Sequence, residues 1–143
     1  MNPHPALAPV RRRTVLGRIA ASAFAALAGS PALASPDAVS LETARADLEA
    51  GRAVLVDIRE PDEHARGVAP GARLLPMRQL AARLGEIPTD PRKPVLLICH
   101  TQNRSRATLT ALRERGGYGH VRYVEGGMSE WGRRGWPLVR PSR

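Results

Sequence analysis

The chain has 143 residues, 43% of them hydrophobic and 24% charged, so it is long enough for one globular domain and too short for two ordinary ones. Its net charge of +9 comes from 22 basic residues, of which only Lys93 is a lysine, against 13 acidic ones. The aromatic residues number only five and are not interleaved with a basic stripe, which argues against nucleic-acid binding. The single cysteine, Cys99, excludes an internal disulfide and a metal site built on cysteine pairs, but it leaves open a reactive thiol.

The first 34 residues have the pattern of an export signal. Three arginines at 11–13 precede a modestly apolar stretch at 19–28, and Ala32-Leu33-Ala34 follows as a cleavage site. The apolar stretch is too short to span a bilayer. Residues 12–16 also resemble the twin-arginine signal, although an ordinary secretory signal and an uncleaved amphipathic tether remain alternatives. We therefore expect a periplasmic or secreted protein, with a twin-arginine-like signal at 1–34, a mature domain at 35–143 and no stable membrane span after processing.

The mature region alternates between short apolar runs and amphipathic stretches. Strands are predicted at residues 53–56, 72–75, 95–98 and 121–124, and helical segments at 43–48, 77–84 and 105–115. Ser40 is placed to cap the first helix, and Gly51 and Gly116 are placed to end the first and last. A polar loop is expected between residues 59 and 71. Strands separated by helices predict an α/β fold, in which a parallel sheet is covered by helices on both faces.

The cysteine directly follows the most apolar predicted strand, at the sheet edge where α/β proteins bind their ligands. After Cys99 the loop to the next helix reads His100, Thr101, Gln102, Asn103, Arg104 and Ser105. If this loop curls around the sulfur, its N–H groups, the helix N-terminus and the arginine all stabilise a thiolate. The same cradle would hold an anionic persulfide or the charged end of thiosulfate. We predict Cys99 as the catalytic nucleophile and the six following residues as substrate-binding, the alternative being a small buried hydrophobe at a strand end.

Four segments, in order, resemble the rhodanese homology domain over residues 39–138. They are VDIREPDEH (56–64), GVAPGA (67–72), CHTQNRS (99–105) and VEGGMSEW (124–131). The third is similar to that family's Cys-x-x-Gly-x-Arg-Ser active loop. Related phosphatases and arsenate reductases of this fold need His-Cys followed by five residues and an arginine. Here Ile98 precedes the cysteine and only four residues separate it from Arg104, so the shorter loop favours sulfur over a tetrahedral oxyanion.

The resemblance implies a rhodanese-like fold and a double-displacement sulfur transfer. Cys99 would take sulfane sulfur from thiosulfate or a persulfide donor and pass it to cyanide or a thiol, a thiol redox protein being a candidate partner. It also implies supporting roles for Asp57, Arg59 and Glu63, with the arginine and the glutamate paired to brace the active loop. His100 is interpreted as a pocket wall, because an already stabilised thiolate needs no base. No cofactor and no metal are expected.

Two positions depart from the family pattern. Gln102 stands where many single-domain relatives have glycine, so the loop is expected to be less open or to present a side-chain amide to substrate. Val68 replaces a histidine that is not the nucleophile. A second interpretation also stays open, namely a rhodanese-like sulfur carrier or partner-binding module without turnover. The presence of both Cys99 and Arg104 argues against an inert copy.

Overall fold

The structure is a computed structural model that describes residues 36–142. A five-stranded sheet, parallel throughout, has the strand order β1-β5-β4-β2-β3. In chain order the elements are β1 (Ala38–Val39), α1 (Leu41–Glu49), β2 (Val54–Asp57), α2 (Pro61–His64), β3 (Arg73–Leu74), β4 (Val95–Ile98), α3 (Asn103–Arg115), β5 (Val121–Val124) and α4 (Gly127–Arg133). The predicted α/β fold with a parallel sheet is confirmed.

The core lies on both faces of the sheet, because successive side chains of each strand point to opposite sides. On one face Leu97 and Cys99 pack in a cluster with Leu109 of α3. On the other face Ile98 packs in a cluster with Trp131 of α4 and residues of α1. Strand β4 is buried on both faces, which explains why its sequence is apolar without alternation.

The helices mostly follow the predicted signals. The Ser40 hydroxyl caps α1 by accepting the Thr43 N–H at 3.2 Å. Helix α3 begins two residues earlier than predicted, at Asn103. The segment expected to be helical at 77–84 forms instead two 3₁₀ turns, Met77–Gln79 and Leu84–Glu86. Arg83, which lies between the two turns, has φ −113° and ψ 22°, outside the α-helical region, so a continuous helix is interrupted there.

Three elements were not predicted, namely β1, α2 and α4. Strand β1 has two residues and pairs only with β5 at the sheet edge, so it has no periodicity to detect. Helix α2 lies in the predicted polar loop, with Pro61 in its first turn and the Glu63 carboxylate accepting the Glu60 N–H at 3.0 Å. Within residues 36–142, no helix has the length and apolarity needed to cross a membrane. The predicted export signal lies outside the described residues.

Candidate active site

Cys99 lies immediately after β4, at the same sheet edge as the end of β2. Its residue surface is only 1% exposed, and its side chain belongs to the cluster that includes Leu97 and Leu109. The sheet and α3 pack on this side chain, whereas the loop that follows Cys99 has exposed residues, so we expect a substrate to approach the sulfur from the loop.

The start of α4 holds the first two residues of this loop by their backbones. The Met128 N–H donates to the Cys99 carbonyl at 2.8 Å, and the Ser129 N–H donates to the His100 carbonyl at 2.8 Å. Two N–H groups that would lack partners at a helix N-terminus are thereby satisfied. The β5–α4 turn and the active loop are consequently one connected unit.

Gly127 makes this approach sterically feasible. A Cβ built at this position would lie 2.1 Å from the Thr101 carbonyl oxygen, 2.5 Å from that of Cys99 and 2.6 Å from that of His100. The residue also has φ +58°, in the left-handed region that favours glycine. Three consecutive loop carbonyls therefore converge on the α-carbon of Gly127, where no other residue type fits.

The direction of these carbonyls fixes the direction of the loop N–H groups. In a trans peptide the N–H points opposite to the preceding C=O, and no cis peptide occurs among residues 36–142. The N–H groups of His100, Thr101 and Gln102 therefore point away from α4. Because α4 covers one face of the sheet and the Cys99 side chain lies on the other, these N–H groups are turned to the side of the sulfur. Such a run of convergent N–H groups favours an anion.

Arg104 and Glu63 form a bidentate ion pair beside the loop. The two terminal guanidinium nitrogens each donate to one carboxylate oxygen at 2.7 Å. The Arg104 hydrogen bonds lower the pKa of Glu63 to about 2, against the opposing effect of its partial burial. The same hydrogen bonds raise the pKa of Arg104. The expected partner of Glu63 was Arg59, and this was wrong: Arg59 touches only the Glu63 backbone carbonyl, at 3.5 Å.

Arg59 is instead held by Asp57, which is fully buried at the end of β2. The guanidinium donates to both Asp57 oxygens, at 2.7 Å from Nη2 and 3.0 Å from Nε, and Nη2 also donates to the Gly67 carbonyl at 2.9 Å. A buried carboxylate needs a positively charged partner, and Arg59 supplies it for Asp57. Glu63 therefore pairs with Arg104 instead. His64 is also buried, and its Nε2 lies 3.4 Å from Asp57 Oδ1.

The remaining loop residues are placed differently from one another. Three loop residues are exposed and are called the mouth of the loop below, namely His100, Thr101 and Asn103. The Gln102 side chain turns away from the mouth, and its carbonyl oxygen accepts the Gly126 N–H at 3.0 Å. Ser105 is fully buried, and its hydroxyl has no hydrogen-bond partner among the described residues.

A pocket of about 270 Å³ opens beside the loop. His100, Glu63, Arg66 and Met128 are among its lining residues. The sequence offered no signal for Arg66, because nothing in its local pattern distinguishes it from the other surface arginines. In residues 36–142, no three histidine, cysteine or acidic side chains gather closely enough to hold a metal ion.

Comparison with known proteins identifies the family of this chain. Residues 40–134 match the family model of the rhodanese-like domain. The chain belongs to the rhodanese-like family. A protein of Allochromatium vinosum named "Sulfurtransferase" is 40% identical over 105 residues, which are 73% of this chain and 94% of that protein.

Solved structures of the family share the fold. A rhodanese-like domain protein from Staphylococcus aureus is 27% identical with a TM-score of 0.63, covering 74% of this chain and 99% of its own. A thiosulfate sulfurtransferase from Pseudomonas aeruginosa is 29% identical with a TM-score of 0.64. That match covers 74% of this chain but only 21% of the longer protein.

Proposed function

We propose that this protein is a sulfurtransferase in which Cys99 carries sulfane sulfur as a persulfide. The observation that carries the proposal is the loop after β4, whose N–H groups are turned to the side of the only cysteine. The family match and the relative named as a sulfurtransferase support the same activity. The donor is thiosulfate or a persulfide, and the acceptor is a thiol or cyanide.

The reaction has two displacement steps. The Cys99 thiolate attacks the outer sulfur of thiosulfate, a new S–S bond forms, and sulfite leaves with the electron pair of the broken S–S bond. An acceptor anion, cyanide or a thiolate, then attacks the outer sulfur of the persulfide, and the Cys99 thiolate is restored. No proton needs to move in either step, so the protein supplies electrostatic stabilisation rather than a general base.

The loop donates to negative charge in every state of this cycle. The N–H groups of His100, Thr101 and Gln102 are the donors on the side of the sulfur. The exposed side chains of His100, Thr101 and Asn103 form the rim that a donor or acceptor would touch first. The mouth suits a small anion or an extended thiol, because Cys99 itself is reached only through the loop.

The buried hydroxyl of Ser105 supports a site for one additional atom. Positions 105, 108, 109 and 112 form the buried face of α3, and Leu109 on that face packs in the same cluster as Cys99. Ser105 lies one turn closer than Leu109 to the active loop. A buried hydroxyl without a partner costs about 1–3 kcal/mol, so an acceptor that arrives with the substrate would relieve this cost. The outer sulfur of the persulfide is that acceptor in this proposal.

A sulfur carrier or partner-binding module without turnover is the second candidate. The observation that favours it is the burial of Cys99, which restricts access of a second substrate. A carrier shares the persulfide with the enzyme and differs from it only in whether an acceptor removes the sulfur catalytically, whereas a module that only docks a partner needs no persulfide.

The decisive experiment measures the intact mass of residues 35–143 after exposure to thiosulfate. One added sulfur, about 32 Da, is expected on wild type, and none on Cys99→Ser, because a hydroxyl cannot form a persulfide. Addition of cyanide should then remove the sulfur and form thiocyanate over many turnovers. Loading without turnover would identify a carrier, and no loading from thiosulfate or from a persulfide donor would refute both the enzyme and the carrier.

Export is part of the proposal as well. The arginines at 11–13 and the Ala32-Leu33-Ala34 site support a periplasmic or secreted sulfurtransferase that begins near Ser35. A single thiol suits an oxidising compartment, because the chain has no second thiol that could trap Cys99 as an intramolecular disulfide.

A further inference from the structure

Gln102 connects the middle of the active loop to a distant part of the chain. Its side-chain carbonyl oxygen accepts the Gly126 N–H at 3.0 Å, across 24 residues of sequence. Gly126 ends the turn between β5 and α4 as the N-cap of α4, the helix whose first residues hold the Cys99 and His100 carbonyls. Three hydrogen bonds therefore attach the loop to residues 126–129, and only the one from Gly126 depends on a side chain.

The same residue is the N-cap of α3, and it caps in an unusual way. Its backbone carbonyl accepts the Arg106 N–H at 2.8 Å, as an N-cap should, but its side chain makes no capping hydrogen bond. Serine, asparagine or aspartate at an N-cap folds its side chain back onto the first N–H groups of the helix. Glutamine sends its oxygen to Gly126 instead. The first N–H groups of α3 are thereby left without a capping side chain from Gln102.

The Gln102 hydrogen bond also anchors the part of the loop that the backbone contacts do not reach. The Met128 and Ser129 N–H groups hold the carbonyls of Cys99 and His100, whereas the Thr101 carbonyl has only the close approach of Gly127. Without the Gln102 side chain, the peptide between Thr101 and Gln102 has no hydrogen bond to hold it, and its N–H group can turn away from the sulfur.

We infer that Gln102 is a positioning residue of the active loop: its side chain, bound to Gly126, fixes the loop peptides so that their N–H groups face the Cys99 sulfur. The catalytic consequence rests on the proposed sulfur transfer, but the effect on the thiolate does not. The residue acts through the backbone and not by touching substrate, which differs from the substrate contact expected from the sequence.

The test replaces Gln102 with methionine, which keeps the length of the side chain and removes the acceptor. The matched control is Gln79→Met, because Gln79 is the only other glutamine and its oxygen accepts from Arg83 on an exposed 3₁₀ turn. Both variants, and Gln102→Ala in case methionine prevents folding, are alkylated with iodoacetamide across a range of pH. Sulfur loading from thiosulfate is then followed by intact mass.

We expect the alkylation profile of Gln102→Met to move to higher pH by about half a unit, which makes alkylation about threefold slower on the acidic side of the profile, where the thiol predominates. Gln102→Ala should move it in the same direction, and Gln79→Met should leave it unchanged. A merely structural role would lower the melting temperature without moving the profile. Unchanged profiles in both Gln102 variants would overturn the inference.

The two proposals fail separately in this design. If wild type takes up no sulfur but the Gln102 variants still shift the alkylation profile, the proposed function fails and the role of Gln102 stands. If wild type loads sulfur and the Gln102 variants match it in both profile and loading rate, the role of Gln102 fails and the proposed function stands.

Discussion

Arg104 of the active loop holds Glu63 of α2 through two hydrogen bonds of 2.7 Å, across 41 residues of sequence. Both terminal guanidinium nitrogens are engaged, so the arginine cannot offer this pair of nitrogens to a sulfur donor while the contact with Glu63 persists. From sequence, Arg104 was predicted to contact substrate. The pair argues that it acts mainly by fixing the loop against α2.

Arg104→Lys should therefore slow both half-reactions, by roughly fivefold to tenfold, because lysine keeps the charge but cannot form the bidentate contact. Glu63→Gln should act in the same direction, since it weakens the same pair. Stopped flow with thiosulfate on the free protein, and with cyanide on protein already loaded with sulfur, separates the two steps. Loss of the thiosulfate step alone in Arg104→Lys would show that the arginine binds the donor.

The Glu63–Arg104 pair should contribute a pH-dependent part of the stability. The pKa of Glu63 is lowered from its ordinary value of 4.5 to about 2 in the folded state, so the contribution is fully present above pH 4.5 and is lost as the pH falls towards 2. The free energy of unfolding of wild type and Glu63→Gln should differ above pH 4.5 and converge below it. A difference that is constant between pH 6 and pH 2 would contradict this origin.

The position of the nucleophile could be predicted because it depends on local pattern. The run at 95–98 is apolar at every position, which identifies a strand buried on both faces, and the residue after such a strand lies at the ligand-binding edge. The partner of Glu63 could not be predicted in this way. It depends on the complete burial of Asp57, which binds Arg59. Burial depends on tertiary packing, and the local spacing of residues does not reveal it.

The role of Gly127 also could not be predicted from the local sequence pattern. Gly126 is the N-cap of α4, and Gly127 is the first residue of that helix. The contact of Gly127 with three loop carbonyls joins segments more than 25 residues apart, so it appears only when the sheet brings β4 and β5 side by side.

Ser105→Ala should separate stability from sulfur transfer. Removing a buried hydroxyl that has no partner should leave the free energy of unfolding unchanged or raise it by up to about 1 kcal/mol. Loss of the donor to the outer sulfur should slow loading by roughly tenfold. Thermal unfolding and mass-detected loading measure the two effects. A large loss of stability with unchanged loading would mean that the hydroxyl serves only the fold.

Export is tested by replacing both Arg12 and Arg13 with lysine. Since the twin-arginine route depends on the arginine pair, precursor should accumulate in the cytoplasm, whereas wild type should yield a mature form that begins near Ser35. Cell fractionation with N-terminal sequencing measures both. Export of the double variant at normal levels would assign the signal to the general secretory route instead.

Gly127→Ala should damage the active loop more than any other small substitution in α4. The added Cβ would lie 2.1 Å from the Thr101 oxygen, and alanine is strained at φ +58°. Relief requires the loop carbonyls to move, which breaks the hydrogen bonds from Met128 and Ser129 and turns the loop N–H groups away from the sulfur. We expect a loss of about 3 kcal/mol or more in the free energy of unfolding, and a loss of sulfur loading even in the fraction that remains folded.

Gly132→Ala is the matched control, because this glycine lies in the same helix and its added Cβ would meet nothing within 4 Å. Alanine is the better helix former, so this variant should be more stable by about 0.5–1 kcal/mol with unchanged loading. Denaturant unfolding and intact mass after thiosulfate give both quantities for each variant. If Gly127→Ala loads sulfur as fast as Gly132→Ala, the contact between α4 and the active loop does not orient the N–H groups that we assign to the sulfur.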